Sequence, residues 1–326
     1  MNLDFSLIKE SKNLLAFSAG IDSSALFFLL LENNIEFDIA IVNYNTREQS
    51  KDELQYAKDL ALKYNKKIFY KEVHLQTKSN FEKTARDIRY AFFREVIKEN
   101  NYNTLITAHQ LNDKFEWFLM QLSKGAGILE LIGFNEFEKS DSYDIFKPLL
   151  KVSKQELENY LEKNDLKYFI DSSNSDEKYK RNYFRHNFSD RFLSEYKNGI
   201  INSFDYLQED INSLNFKSEA ILKIEELEIF KNLNDDNLNI RIIDLSLKKR
   251  GVLLSYAQRE EILKQERIII SDKIAISIEN NYIWICPKSS EIMDKKFKER
   301  CRVLKIPKNI RAYLKEKKIK LKELVF

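Results

Sequence analysis

Asn13-Leu14-Leu15-Ala16-Phe17-Ser18 runs straight into Ala19-Gly20-Ile21-Asp22-Ser23-Ser24, and residues 22–33 then carry a helical pattern. An apolar strand, a small polar turn and a helix in immediate succession make a βα unit. Outward from it, strand-like runs recur near residues 37–43, 67–73, 103–108 and 167–170, with helical patterns near 48–64, 81–99 and 111–122 between them. This alternation predicts an α/β fold, a parallel sheet with helices on both faces and ligands at the carboxyl ends of its strands. From about residue 197 the pattern changes to long polar helices as far as residue 264, followed by a hairpin-like pair at 267–271 and 273–286 that turns at Asn280-Asn281. The expected domains are 1–196, the α/β part, and 197–326, a smaller and mostly helical region with a β-hairpin and a basic tail.

The 326 residues are 43% hydrophobic, enough for one substantial core and a smaller second one. No stretch reaches the ~18 consecutive apolar residues of a membrane span. Met1-Asn2-Leu3-Asp4-Phe5 lacks the basic start of a secretory signal, so a cytoplasmic protein with no membrane partner is expected. Cys286 and Cys301 are the only cysteines and have no metal-ligand spacing around them. That argues against a disulfide framework, a zinc site or sulfur chemistry in the first 285 residues. Charge is unevenly spread: residues 295–326 hold 13 Lys and Arg against 3 Glu, a local +10 in a chain of net +3. A polyanionic partner and a merely solvated Lys-rich surface both fit such an end.

The turn at 18–24 has legible chemistry. A strand-to-helix turn presents backbone N–H groups and the positive end of a helix dipole, and the Ser hydroxyls add donors, which together cradle a pyrophosphate. Gly20 lets backbone approach a ligand, and Asp22 can hold a magnesium ion against phosphates. The Gly and Lys spacing of a Walker loop is absent. An ordinary βα turn with Asp22 or Ser23 as helix cap is the plainer alternative.

Further segments carry polar residues at helical spacing. In Asn80-Phe81-Glu82-Lys83-Thr84-Ala85-Arg86-Asp87-Ile88-Arg89-Tyr90, Glu82, Arg86 and Arg89 or Tyr90 share one helix face, where Arg86 can meet phosphate charge or simply pair with Glu82. In Thr107-Ala108-His109-Gln110-Leu111-Asn112-Asp113-Lys114-Phe115-Glu116, His109 ends a strand as a ligand contact or a cap. Asp113 and Glu116, three apart on the next helix, offer two carboxylates to an ammonium group or compensate the helix dipole. Lys147-Pro148-Leu149-Leu150, then Asp171-Ser172-Ser173-Asn174 and Arg181-Asn182-Tyr183-Phe184-Arg185, complete the set, with Arg181 and Arg185 one helical turn apart.

In combination, over residues 13–190, these segments resemble the tRNA(Ile)-lysidine synthetase family of PP-loop ATP pyrophosphatases. The family's patterns are Ser-Gly-Gly-x-Asp-Ser, Glu-x-x-Ala-Arg-x-x-Arg-Tyr, Ala-His-x-x-Asp-Asp-x-x-Glu, Arg-Pro-Leu-Leu and Asp-x-Ser-Asn with Arg-Asn-x-x-Arg. The resemblance implies a Rossmann-like PP-loop ATPase domain using ATP and Mg2+, with Asp22 as metal ligand. It implies a nucleotide site of Ser18, Ala19, Gly20, Ile21, Asp22, Ser23, Ser24, Asn43 and Tyr44, and catalytic roles for Asp22, Arg86 and His109. Lysine would be bound by Asp113, Glu116 and Arg185. Isoleucine tRNA with a CAU anticodon would be held by Arg181 and, in the basic end, Arg300, Arg302 and Lys305, with Lys308, Arg311 and Tyr313 beside them. The implied reaction adenylates the wobble cytidine, releases pyrophosphate, and lets the lysine ε-amine displace AMP. Three positions depart from the patterns: Ala19 and Asn112 replace Gly and Asp, and Tyr44 lies where a His-Gly run is usual. They keep open a catalytically lapsed RNA-binding relative, while another PP-loop tRNA modifier that transfers sulfur fits poorly with the missing cysteines. A homodimer stands as one candidate assembly, with no sequence feature to decide it.

Overall fold

The computed structural model describes the chain except residues 2, 46–48, 75–80, 141, 171–179, 214–218, 280 and 325–326, and the side chain of Glu82. It divides into two compact units, Met1–Ile211 and Asn212–Phe326.

The first unit runs β1 (Asn13–Ala16), α1 (Ile21–Glu32), β2 (Phe37–Asn43), α2 (Gln49–Lys63), β3 (Ile68–Glu72), α3 (Phe81–Asn100), β4 (Thr104–Ile106), α4 (Leu111–Leu122), α5 (Ile128–Ile132), β5 (Phe137–Glu138), β6 (Asp144–Phe146) and α6 (Lys154–Lys163). It ends on α7 (Lys180–Phe184), a π-helical turn (Arg185–Ser189) and α8 (Asp190–Ser213). The sheet order is β3-β2-β1-β4-β6-β5, parallel throughout except for the edge strand β5. Chain order reverses between β1 and β4, so the crevice at their carboxyl ends is the expected ligand position. Strand β1 is apolar at Leu14 and Leu15 because it is covered on both faces. Helix α1 is buried along most of its length, with Phe27 meeting Phe28, Phe37 and Tyr64 edge-on. At about 1.5–3 kcal/mol for each buried large apolar side chain, this packing makes the start of α1 a fixed platform.

The parallel α/β architecture is as anticipated, with three differences. The run at 167–170 forms only a bridge, Gly20 to Phe169, with Phe169 N donating to Ala19 O at 2.9 Å. Strands β5 and β6 are too short to show a period of two in sequence. Residue 197, where the pattern changes, lies inside α8, next to a kink at Tyr196 with φ −124°, and the compact unit continues to Ile211.

The second unit holds β7 (Leu222–Ile224), β8 (Leu227–Lys231), α9 (Asp236–Lys249), α10 (Tyr256–Lys264), β9 (Arg267–Ile270), β10 (Ile274–Glu279), β11 (Tyr282–Pro287), α11 (Lys295–Val303) and α12 (Arg311–Glu316). The expected hairpin is β10–β11, turning at Asn281 with φ 66°, while Asn280 lies outside the described residues. It sits within a larger antiparallel sheet of order β7-β8-β11-β10-β9. Ile242, Ile243 and Leu247 of α9 pack in one core, and Phe297, Cys301, Tyr313 and Leu314 of α11 and α12 pack in another. The basic end is therefore no tail: its apolar residues at helical spacing are core, and its Lys and Arg form the outer face. Both cysteines are buried thiols, and burial pushes that of Cys286 up to about 12. Among the described residues no helix is long and apolar enough to cross a membrane.

Candidate active site

The turn after β1 opens a cleft of about 420 Å³ lined from β1, α1, α3, α4, α6 and α7. Ala19 takes the left-handed backbone conformation, φ 59°, and its methyl group is fully buried. For a residue with a Cβ this conformation costs about 1–2 kcal/mol, which a glycine avoids. The departure from Gly at 19 is therefore a strained position that the surrounding core tolerates. Gly20 has an extended φ of −75°, and a Cβ there would lie 3.5 Å from Ser18 Oγ, an ordinary contact, so the backbone strain sits one residue before the glycine. Ser23 holds the turn: its Oγ accepts from Ser18 N at 3.2 Å and lies 3.1 Å from Ser18 Oγ. Among the described residues no side chain caps the start of α1. Its first-turn amides and positive dipole end face the cleft, an anion site by construction.

Asp22 is recessed in this turn, and its Oδ1 has no hydrogen-bond partner among the described residues. Burial, and next the charge of Asp113, raise its carboxyl to about 7, opposed by Lys154 and Arg185. A carboxylate so placed fits a divalent cation bridging phosphates, which needs one or two protein oxygens. Among the described residues no cluster of three metal-binding side chains competes with it. His109 lines the same cleft, its Nδ1 2.9 Å from Thr107 Oγ1 and its ring 5.2 Å from that of Phe134. Burial holds its pKa down to about 4, with Asp113 pulling the other way, so the imidazole is neutral near pH 7.

On the α4 side, Gln110 and Asp113 form a reciprocal cap: Asp113 Oδ2 accepts from Gln110 N at 3.1 Å, and Gln110 Oε1 accepts from Asn112 N. Glu116, fully buried, accepts from Arg181 Nε at 2.7 Å and Arg185 Nε at 2.6 Å. Arg181 Nη2 also donates to Asp113 Oδ1 at 2.5 Å. The carboxylates expected to share a helix face do so, and with the two arginines they form one charged cluster. Arg181, expected on tRNA, lies in this cluster, because α7 lays it across α4.

Other expected residues lie elsewhere. Arg86 is exposed and sits 5.6 Å from the Tyr90 ring, while Arg89, three residues on, lines the cleft. Tyr44 donates through its hydroxyl to Ala85 O at 2.6 Å and meets Phe81 edge-on, so its ring is already occupied by α3. Asn43 is buried and accepts from Asn45 N at 2.9 Å. Lys147 is buried against Glu138 at 2.6 Å, a structural ion pair. Asp171 and Asn174 fall outside the described residues. In the second unit Arg300, Arg302, Lys305 and Lys308 are exposed, with Arg302 paired to Glu299, and Arg311 donates to Ile306 O at 2.7 Å. Tyr313 is buried, its hydroxyl accepting from Glu226 N at 3.1 Å, and offers no stacking surface. Arg89 lines the cleft from the motif face on which it was named, and Lys154 and Glu53 line it without having been anticipated. For Lys154 a signal existed: Ser153 and Glu156 form the capping box that starts α6 and sets Lys154 at its first position.

Residues 3–192 match the family model of the PP-loop domain. The tRNA(Ile)-lysidine synthase of Campylobacter jejuni strain RM1221 is 47% identical over 98% of this chain and 97% of its own length. That of Helicobacter pylori strain 26695 is 43% identical over 94% and 90%, and that of Wolinella succinogenes 40% identical over 94% and 93%.

Proposed function

The chain belongs to the tRNA(Ile)-lysidine synthase family of PP-loop proteins, and from that premise we propose that it is an ATP-dependent ligase joining lysine to the wobble cytidine of the CAU anticodon of isoleucine tRNA. The observation that carries the reading is one cleft with, among the described residues, an uncapped helix start and an Asp22 Oδ1 without a partner on one side and the Asp113–Glu116–Arg181–Arg185 cluster on the other. The first side suits a nucleotide phosphate; the second, two carboxylates with two guanidinium groups, suits an amino acid that carries both ammonium and carboxylate groups.

Cytosine's carbonyl oxygen leaves poorly until it is esterified to phosphate. Attack of that oxygen on the α-phosphate of ATP forms the ester and expels pyrophosphate. Attack of the lysine ε-amine at the same ring carbon then expels AMP. The residues of the chain act mainly by electrostatics. The α1 amides receive phosphate oxygens, and Arg89 and Lys154, both lining the cleft, meet charge that grows as pyrophosphate leaves. Asp22 would hold Mg2+, which supplies neutralisation of the phosphates when bound. His109, neutral and held by Thr107, orients a substrate by hydrogen bonding and is too weak a base near pH 7 to take a proton from an ammonium group. Asp113, which lines the cleft, attracts the ammonium group but favours its charged form, so it binds the amino acid better than it activates it, while buried Glu116 holds Arg181 and Arg185 in place.

The test is pyrophosphate release with tRNA, ATP and lysine. The wild-type chain should turn over, and Asp22→Ala should lower the rate by about 10²–10³-fold without loss of fold. Wild-type binding of tRNA with no pyrophosphate would favour the lapsed RNA-binding relative. The exposed basic residues of the second unit supply the attraction for RNA that the net acidic remainder of the chain lacks. Arg300→Glu with Lys308→Glu should weaken tRNA binding and make the slope of log affinity against log salt shallower by about 1–2. An unchanged slope would move the RNA contact to another surface.

A further inference from the structure

Asn112, buried at the second position of α4, bonds to the starts of two other helices. Its Nδ2 donates to Asp190 Oδ1 at 3.0 Å, and its Oδ1 accepts from Lys154 N at 3.1 Å. One side chain thus ties the helix carrying Asp113 and Glu116 to the first residue of α6, which lines the cleft, and to the first residue of α8, which follows the π-helical turn begun by Arg185. An amide can do both because it carries a donor and an acceptor on one fork. An aspartate at 112 would still accept from Lys154 N but would set its other oxygen against the Asp190 carboxylate, and like charges at that range repel. In this chain the departure from Asp at 112 is therefore matched by an acid at 190.

We infer that Asn112 is a positioning residue for the reaction. Through Lys154 and Asp190 it holds the phosphate side of the cleft and the arginine turn in one register with the α4 carboxylates. The inference rests on reading the cleft as the ATP and lysine site.

The experiment compares full-length N112D, D190N and N112D/D190N in pyrophosphate release with tRNA, ATP and lysine, alongside thermal melts. N112D should lower kcat by about 10–100-fold and raise KM for lysine at a temperature where it remains folded. D190N keeps an acceptor oxygen and should stay within about threefold of wild type. The double variant restores the contact with the amide now on α8, and should recover to within about fivefold of wild type. If N112D does not fold, the double variant decides: restored folding and turnover uphold the pairing, and continued unfolding overturns it. N112D with unchanged kinetic constants overturns the inference, as does a lowered melting midpoint with unchanged constants in the folded enzyme. A double variant no better than N112D does the same. Failure of the wider reading is distinguishable, because wild type itself would then release no pyrophosphate, and the inference would fall with it.

Discussion

At the start of α1 polar groups are short of partners, whereas across the cleft, where α4 meets α7, Asp113 and Glu116 are already engaged by guanidinium groups. The Asp22 oxygen that lacks a partner among the described residues lies beside the uncapped amides, where the proposed nucleotide phosphate and its cation would be received. The arginine side is complete without a ligand. Asp113 can still receive an ammonium group, because a carboxylate offers about four acceptor sites and its bonds to Arg181 and Gln110 use two of them.

The largest expected effect breaks the closed side. Glu116→Ala removes the carboxylate that Arg181 and Arg185 share, and losing one partner of a buried ion pair should cost about 3–5 kcal/mol of stability, measured by urea unfolding. Asp113→Ala should cost less stability and mainly weaken lysine use, by about 1.5–3 kcal/mol, with ATP saturation nearly unchanged. Equal losses in both variants would erase the distinction between a structural and a substrate-facing carboxylate.

A smaller effect concerns His109 between the two sides. Its folded pKa of about 4 lies below the ordinary value of 6.5. The unfolded chain therefore binds the extra proton in that window, and the stability this group contributes is present above pH 6.5 and lost as pH falls toward 4. Relative to His109→Gln, wild type should lose about 2 kcal/mol between pH 7 and pH 5. Parallel pH curves for the two proteins would mean that the ring is accessible to protons in the folded state. The smallest effect sharpens the open side: Ala19→Gly relieves a positive φ but loosens the unfolded chain, for a net gain of about 0.5–1 kcal/mol with turnover kept. A lowered melting midpoint would mean that burial of the Ala19 methyl outweighs its strain.

Local pattern carried the βα alternation, the phosphate turn and the shared face of Asp113 and Glu116, because each depends on residues within a few positions of one another. Partnerships across long separations were not readable. Glu116 meets arginines 65 and 69 residues away, and only the packing of α7 on α4 brings them together. Helical spacing put Arg86 and Arg89 on related faces but could not say which one the sheet would turn toward the cleft. The sheet of the second unit was under-read because β7 and β8 are short strands inside a polar stretch. The charge count at the C-terminal end concealed its apolar spacing, so Phe297, Cys301, Tyr313 and Leu314 read as tail when they are core.

The π-helical turn at Arg185–Ser189 makes the long final helix of the first unit a screw of uneven pitch. Each of its hydrogen-bonded rings holds one residue more than an α-helical ring. Beyond it, Leu193, Ile200 and Phe204 keep their packing with Leu111 and Phe115. At its first residue Arg185, and one turn earlier Arg181, face the carboxylates of the same helix α4. Removing one residue between Arg185 and Leu193 would turn the first contact against the second, since a shift of one position turns an α-helix by about 100°. A single deletion within 186–189 would thus act as a phase error: every side chain of the cluster would survive in sequence, with its cations rotated out of step with their partners.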